Sequence, residues 1–173
     1  MTQRFFLALC ATCMVCVLAA CGSKPRAPVS SAPEVSSSTS TLGQGALSQS
    51  KRHDVVLQAM AMLDRNYTYG GKKLHTGFDC SGLVSFVYKE SAGIALQGSA
   101  ADMAKKTRTI NANNAQPGDL VFFNTLGSPN SHVGIYIGSG KFIHAANERT
   151  GVRQERLDNR YWSQRFEGFR TLN

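Results

Sequence analysis

The chain has 173 residues, with 19 Lys and Arg against 11 Asp and Glu for a formal charge of +8, and 42% of its residues are hydrophobic. That length holds one packed domain and one site rather than several. The basic residues come no denser than the doublets Lys72-Lys73 and Lys105-Lys106, which argues against nucleic acid as a partner and suits an anionic surface instead.

Residues 1–20 open with one cation, Arg4, and run without a charge from Phe5 to Ala20. The run is short for a membrane span and ends in small residues, the pattern of a signal peptide. The segment Leu18-Ala19-Ala20-Cys21-Gly22 resembles the lipobox of bacterial lipoproteins, which implies cleavage before Cys21 and acylation of that cysteine. Buried acyl chains gain ~0.8 kcal/mol per methylene, and more than one chain makes attachment to a membrane stable. Loss of the leader removes Arg4 and leaves 8 − 1 = +7. It also removes Cys10, Cys13 and Cys16, so that with Cys21 acylated only Cys80 remains. A disulfide framework is excluded, and a lone thiol in an exported chain is either reactive or buried and inert.

From residue 21 to 50 the sequence turns to Ser, Pro, Thr, Ala and Gly with almost no large apolar side chain, too little to bury, and reads as a tether. As a random coil its ends lie ~30 Å apart, and at full stretch it reaches ~100 Å. The domain is expected over 51–173. Val55, Val56, Ala59, Met60 and Leu63 at helical spacing predict a first helix ending near Asn66, followed by a loop through Tyr67-Thr68-Tyr69-Gly70-Gly71. A second helix is predicted from Asp79-Cys80, with Leu83, Val84, Val87 and Tyr88 as its apolar stripe and Gly93 at its end; a shorter one lies between Ser99 and Lys106. After the turn Gln116-Pro117-Gly118 the pattern changes to strands at Leu120–Phe123, Val133–Ile137, Phe142–Ala145, Val152–Leu157 and Phe166–Arg170. Helices first and an antiparallel meander afterwards predict an α+β domain whose N-terminal helices pack on a sheet of about five strands.

Cys80 follows Asp79, a good N-cap residue, and so falls in the first turn of a helix. Unpaired amides and the helix dipole favour thiolate there and can lower a cysteine pKa from about 8.5 to roughly 3.5–7.5; the same amides suit a developing oxyanion. Periodicity alone leaves a second possibility open, since Cys80 also sits in phase with Leu83, Val84 and Val87 as a core residue. The histidines favour the reactive reading. His132 opens the strand His-Val-Gly-Ile-Tyr-Ile and His144 lies in Lys-Phe-Ile-His-Ala, with Gly138-Ser139-Gly140 between them as a three-residue hairpin loop. That loop pairs Ile137 with Lys141 and Gly134 with His144, which puts His132 and His144 on one face as diagonal neighbours about 7–8 Å apart. A two-residue loop would put them on opposite faces. Gly134 opposite His144 would leave room for a ring. One imidazole then takes the proton of Cys80 while the other orients it. His53 and His75 have no such setting.

Tyr67-Thr68-Tyr69-Gly70-Gly71, Phe78-Asp79-Cys80-Ser81-Gly82, Gln116-Pro117-Gly118-Asp119-Leu120-Val121-Phe122-Phe123, Ser131-His132-Val133-Gly134-Ile135-Tyr136-Ile137-Gly138 and Phe142-Ile143-His144-Ala145 resemble, in order, the motifs of the NlpC family of peptidoglycan cysteine endopeptidases. The resemblance covers nearly everything after residue 51. It implies a reduced papain-like fold and hydrolysis of amide bonds in peptidoglycan stems or crosslinks, without metal or organic cofactor. By position it makes Cys80 the nucleophile, His132 the base and His144 the orienting third residue. It places Tyr67 over the cysteine to assist the oxyanion or substrate, and Asp79 and Ser81 where some members hold a substrate amine. Asp119, by contrast, reads as a structural residue of its turn. The loop Lys72–Thr76 is more basic than the pattern requires, and nothing else in the sequence reads as a separate wall-binding module.

Three other readings fit the same residues less well. A zinc site built from Cys80, His132, His144 and Asp79 or Asp119 lacks the short-spaced ligand pairs of common zinc motifs. A non-catalytic wall-binding lipoprotein would not need the intact Cys-His-His set. A related amidase or acyltransferase would use the same thiol chemistry on another bond. Gly22 after the anchor cysteine, in place of aspartate, points to the outer membrane facing the periplasm, or to the cell membrane where no outer membrane exists. The chain is taken as a monomer by default.

Overall fold

The computed structural model describes residues 47–172; the leader, Cys21 and most of the predicted tether lie outside the described residues. Helix α1 spans Gln49–Ala61 and is capped by Ser48, whose hydroxyl accepts from the Lys51 amide. The helix therefore starts two residues before Lys51, and Leu47 ahead of it already packs in the core. Its buried stripe is Arg52, Val55, Ala59 and Met62, while the predicted core residue Met60 is 44% exposed. The phase is set by Arg52, whose charge hid it from a count of apolar residues.

A small two-stranded sheet, β1 (Lys72–Lys73) with β2 (Gly77–Phe78), occupies the segment read as a loop. Helix α2 (Cys80–Ala92) then runs from its Asp79 cap to Gly93, which ends it at φ 70°. Helix α3 (Ala100–Lys105) carries a capping box between Ser99 and Asp102.

The remaining strands are β3 (Thr107–Ile110), β4 (Leu120–Phe123), β5 (His132–Gly138), β6 (Lys141–Asn147), β7 (Gly151–Arg156) and β8 (Phe166–Leu172). A one-turn helix α4 (Arg160–Ser163) precedes β8. The six strands form one antiparallel sheet in the order β3-β8-β4-β5-β6-β7, against the five expected. The extra strand is β3, a four-residue edge of Thr, Arg, Thr and Ile that pairs only with β8. Its mixed polarity gave no strand signal.

Both faces of the sheet are covered. Leu120, Phe122, Val133, Ile135, Ile143 and Ala145 pack on the helices, while Val121, Phe123, Phe142 and Phe169 form a second cluster with Trp162 of α4. This is why β4 reads as an unbroken apolar run, with all four residues buried. A buried polar clamp ties α1 and α2 to the turn before β4 and to β8. Arg52 reaches Asp119 at 2.7 Å and Thr171 at 3.1 Å, and the Tyr88 hydroxyl donates to the Gly118 carbonyl. Asp119 thus has the structural place its turn implied.

The β5–β6 hairpin departs from expectation in a way that preserves its consequence. Gly138 pairs with Lys141, leaving a two-residue turn, Ser139 and Gly140, at φ 52° and 69°, the left-handed pair that such turns demand. Alone, that turn would put the two histidines on opposite faces. A bulge at Ile137 takes up one residue, so Tyr136 pairs with Phe142 and Ile135 with Ile143. That is the register the longer loop would have produced.

Candidate active site

Asp79 does more than cap α2. Its Oδ1 accepts from the Gly82 amide at 2.6 Å and the Ser81 hydroxyl at 3.0 Å, and its Oδ2 accepts from the Gly70 amide at 3.0 Å. It ties the Tyr67–Gly71 loop to the start of the helix. The tie is reinforced by the Asp79 amide donating to the Gly71 carbonyl at 3.1 Å. The loop and helix touch so closely that a Cβ on Gly82 would lie 1.9 Å from that carbonyl oxygen. Gly82→Ala is accordingly expected to displace the loop. Its loss of stability should exceed the ~1–3 kcal/mol of ordinary overpacking, with hydrolysis falling in parallel, as a melting curve and an activity assay on the same sample would show.

Cys80 occupies the first position of α2, a free thiol and half-buried. Burial pushes its pKa up and the Asp79 carboxylate adds to that, while the amides of Val133, Ser81 and Cys80 itself pull it down. The expectation of a lowered pKa is corrected here: desolvation outweighs the helix terminus, and the resting sulfur is a thiol. The influence of the Val133 amide reflects that Cys80 lies close to the strand residue that follows His132.

His132 and His144 meet through Nε2 and Nδ1 at 2.8 Å, with ring planes at 82°. The room for this pair is not made by Gly134, where a Cβ would meet Phe142 Cδ2 at 2.7 Å and Val121 Cγ2 at 3.3 Å. It is made by aromatic walls. Trp162 stacks on His132 at 5.5 Å and meets His144 edge-on at 4.7 Å, and Phe142 lies 5.0 Å from His144. Burial pushes the His132 pKa down to about 4, against a smaller upward pull from Asp79. His144 is held well below its ordinary value by burial, then by His132 and Arg153. Both rings are therefore neutral at pH 7.

Their hydrogen bond selects a tautomer. For His132 to present a lone pair on Nδ1, its Nε2–H must donate to His144 Nδ1, which leaves the proton of His144 on Nε2. That Nε2 is buried with no polar partner. The arrangement costs about 1–3 kcal/mol for the unmade bond. It also anchors His144 by ring contacts rather than by a further polar group.

A cleft of about 890 Å³ is lined by Tyr67, Asp79, Cys80, Ser81, His132 and Trp162 among others. His144 stands behind it, fully buried. All six predicted site residues are thus gathered at one place. The Tyr67 phenol is raised in pKa, first by burial and then by Cys80 and Asp79, and is a hydrogen-bond donor at neutral pH. Ser81 is buried and its hydroxyl is committed to Asp79. Trp162 was missed, although as the sole tryptophan in a predicted loop it was a signal to follow. Among the described residues no group of three or more His, Cys, Asp or Glu side chains forms a candidate metal site. His53 and His75 are exposed and line no part of the cleft.

Known proteins share this arrangement of elements. The chain is 36% identical over 116 residues to murein DD-endopeptidase MepH of Escherichia coli, covering 65% of this chain and 43% of the relative. It is 38% identical over 120 residues to gamma-DL-glutamyl hydrolase of Bacillus subtilis, covering 69% of this chain and 29% of the relative. The chain therefore spans less than half the length of these curated relatives. A lipoprotein-like protein of the NLP/P60 family from Staphylococcus aureus superposes with a TM-score of 0.63 at 33% identity, over 73% of this chain and 42% of that one. The NlpC/p60 domain of peptidoglycan hydrolase SagA does so with a TM-score of 0.59 at 28% identity, over 69% of this chain and 97% of that domain. The profile of the NlpC/P60 family matches residues 64–171, from the turn after α1 through β8. With the helix that carries Cys80 and the hairpin that carries both histidines inside that span, the chain belongs to the NlpC/P60 family.

Proposed function

We propose that this chain is an exported peptidoglycan hydrolase that cuts amide bonds in stem peptides or crosslinks through Cys80, His132 and His144. The observation that carries the reading is the 2.8 Å contact between His132 and His144 at the cleft that Cys80 lines. As the Cys80 sulfur attacks a peptide carbonyl, its proton passes to His132 Nδ1, so no resting thiolate is required. The amides at the start of α2 and the Tyr67 hydroxyl receive the oxyanion. The C–N bond breaks as His132 returns the proton to the leaving amine. Water then attacks the thioester with His132 as base, and the released acid restores the thiol. Asp79 and Ser81 hold the wall nearest the sulfur, where a substrate amine would meet the Asp79 carboxylate.

Acylation of Cys21 would keep the enzyme on a membrane, the outer membrane facing the periplasm where there is one. Mass analysis of the N-terminal peptide tests this, and Cys21→Ala should move the protein to the soluble fraction. The hydrolase reading is tested by incubating the protein with stem and crosslinked peptidoglycan fragments under reducing conditions. It requires new termini at one amide and a trapped acyl group on the peptide containing Cys80. Unchanged fragments would leave a wall-binding protein on the same fold. The pH profile is a separate check. His132 must be neutral to act as base and protonates only as pH falls through about 4, so the acid limb of kcat/KM should have its midpoint near 4. A midpoint near 6.5 would mean a solvated base and a different site.

A further inference from the structure

The row of side chains that begins at His132 does not stop at His144. On the next strand Arg153 is the register partner of His144, so the guanidinium leaves the sheet on the face that carries both histidines. Arg153 lines the same cleft as Cys80 and His132, beside Trp162 and Asn159. Its Nε lies 2.8 Å from Glu155 Oε1, with the Arg153 side chain 44% exposed and that of Glu155 20%. Neither of its terminal nitrogens makes a hydrogen bond among the described residues, which leaves them available at the cleft wall.

Stability does not account for this placement. A half-exposed ion pair contributes about 0–1 kcal/mol. Against that small gain stands a cost, because a fixed positive charge is held beside the buried His144 ring and disfavours any positive charge there. A cation is tolerated next to a base when an anion arrives to neutralise it. The other carboxylate near the sulfur, Asp79, is already satisfied by three donors. The cleft's basic side chains, Lys72, Arg149 and Arg153, outnumber its carboxylates, Asp79 and Glu155.

We propose that Arg153, oriented by Glu155, is the subsite for a free carboxylate of the substrate, bound through the open edge of its guanidinium. The proposal rests on the hydrolase reading above and adds to it a recognition element. A planar fork matches a carboxylate through two parallel bonds. A stem peptide offers two such groups, the α-carboxylate beside a γ-linked glutamyl bond and the side carboxylate of a diamino acid.

The test uses the full chain and synthetic stem fragments in which one or the other carboxylate is amidated. Wild type should lose about 10-fold or more in kcat/KM when the recognised carboxylate is amidated, and which amidation does so names the source. In Arg153→Gln the ratio between acid and amide substrates should fall to about 1, and Arg153→Lys should retain part of it. A merely structural role, or an effect relayed through His144, would lower both substrates together and keep the ratio. Binding of the uncleaved fragments to Cys80→Ala by calorimetry separates the two readings. A 10-fold preference for the acid that disappears in Cys80→Ala/Arg153→Gln supports the subsite even where wild type cleaves nothing. Wild type that cleaves acid and amide forms equally, or Arg153→Gln that keeps the wild-type ratio, overturns it.

Discussion

Cys80→Ala is expected to lower amide hydrolysis by about 10⁴-fold or more while leaving the melting temperature within a few degrees of wild type. The size follows from what the sulfur does: without it no acyl intermediate forms, and removal of a nucleophile typically costs most of the chemical acceleration that its partners supply. The fold should survive because the thiol makes no disulfide and sits at the edge of the core. The N-cap that starts α2 belongs to Asp79 and is untouched. Steady-state assays on a defined crosslinked fragment, paired with thermal melts, check both halves. A variant that stayed within 10-fold of wild type would remove Cys80 from the chemistry and leave the histidine pair unexplained.

The largest loss of stability from a single change is expected at Arg52, far from the sulfur. Arg52 is 8% exposed and Asp119 1%, and their 2.7 Å bond joins α1 to the turn before β4. Arg52→Ala strands a buried carboxylate, for which a cost of about 3–5 kcal/mol is typical. For a domain of this size that lowers the melting temperature by roughly 10–20 °C. The double variant Arg52→Met/Asp119→Asn should be more stable than Arg52→Met, because the asparagine carbonyl can still accept from the Gln116 amide while no charge is left unpaired. The clamp also reaches the site. Asp119 and Gly118 exchange backbone hydrogen bonds with Tyr136 at 2.8 Å, which fixes the far end of the strand that begins at His132. If Arg52→Ala unfolded with an unchanged midpoint, the pair would be no clamp.

These two residues show what the sequence made legible. Cys80 was placed by an N-cap and a helical stripe, both local signals, and the structure puts the helix where they said. The histidine pair needed a register argument, and it succeeded for a reason only partly foreseen: the loop is shorter than supposed, and the compensating bulge is marked only by Gly138, at φ 92°, which reads equally well as part of the turn. Arg52 was hidden because a buried charge breaks the apolar period. Trp162 and α4 were hidden because a one-turn helix has no period. The second aromatic core followed from neither, since burial on both faces of an antiparallel sheet depends on what the chain does much later, at Trp162 and Phe169. The Cys80 pKa was misjudged because helix position is local, whereas desolvation is a property of the assembled cleft.

The Ile137 bulge also bears on how related chains should be aligned. Gly138 pairs with Lys141 and Tyr136 with Phe142, so a chain lacking the residue between Tyr136 and Gly138 would close the same turn as a regular ladder. Its histidines would still stand side by side. A gap of one position in this hairpin is therefore absorbed as a bulge gained or lost. The gap belongs at 137, and an alignment that opens it before His132 or after His144 would displace one histidine and mistake an intact site for a broken one.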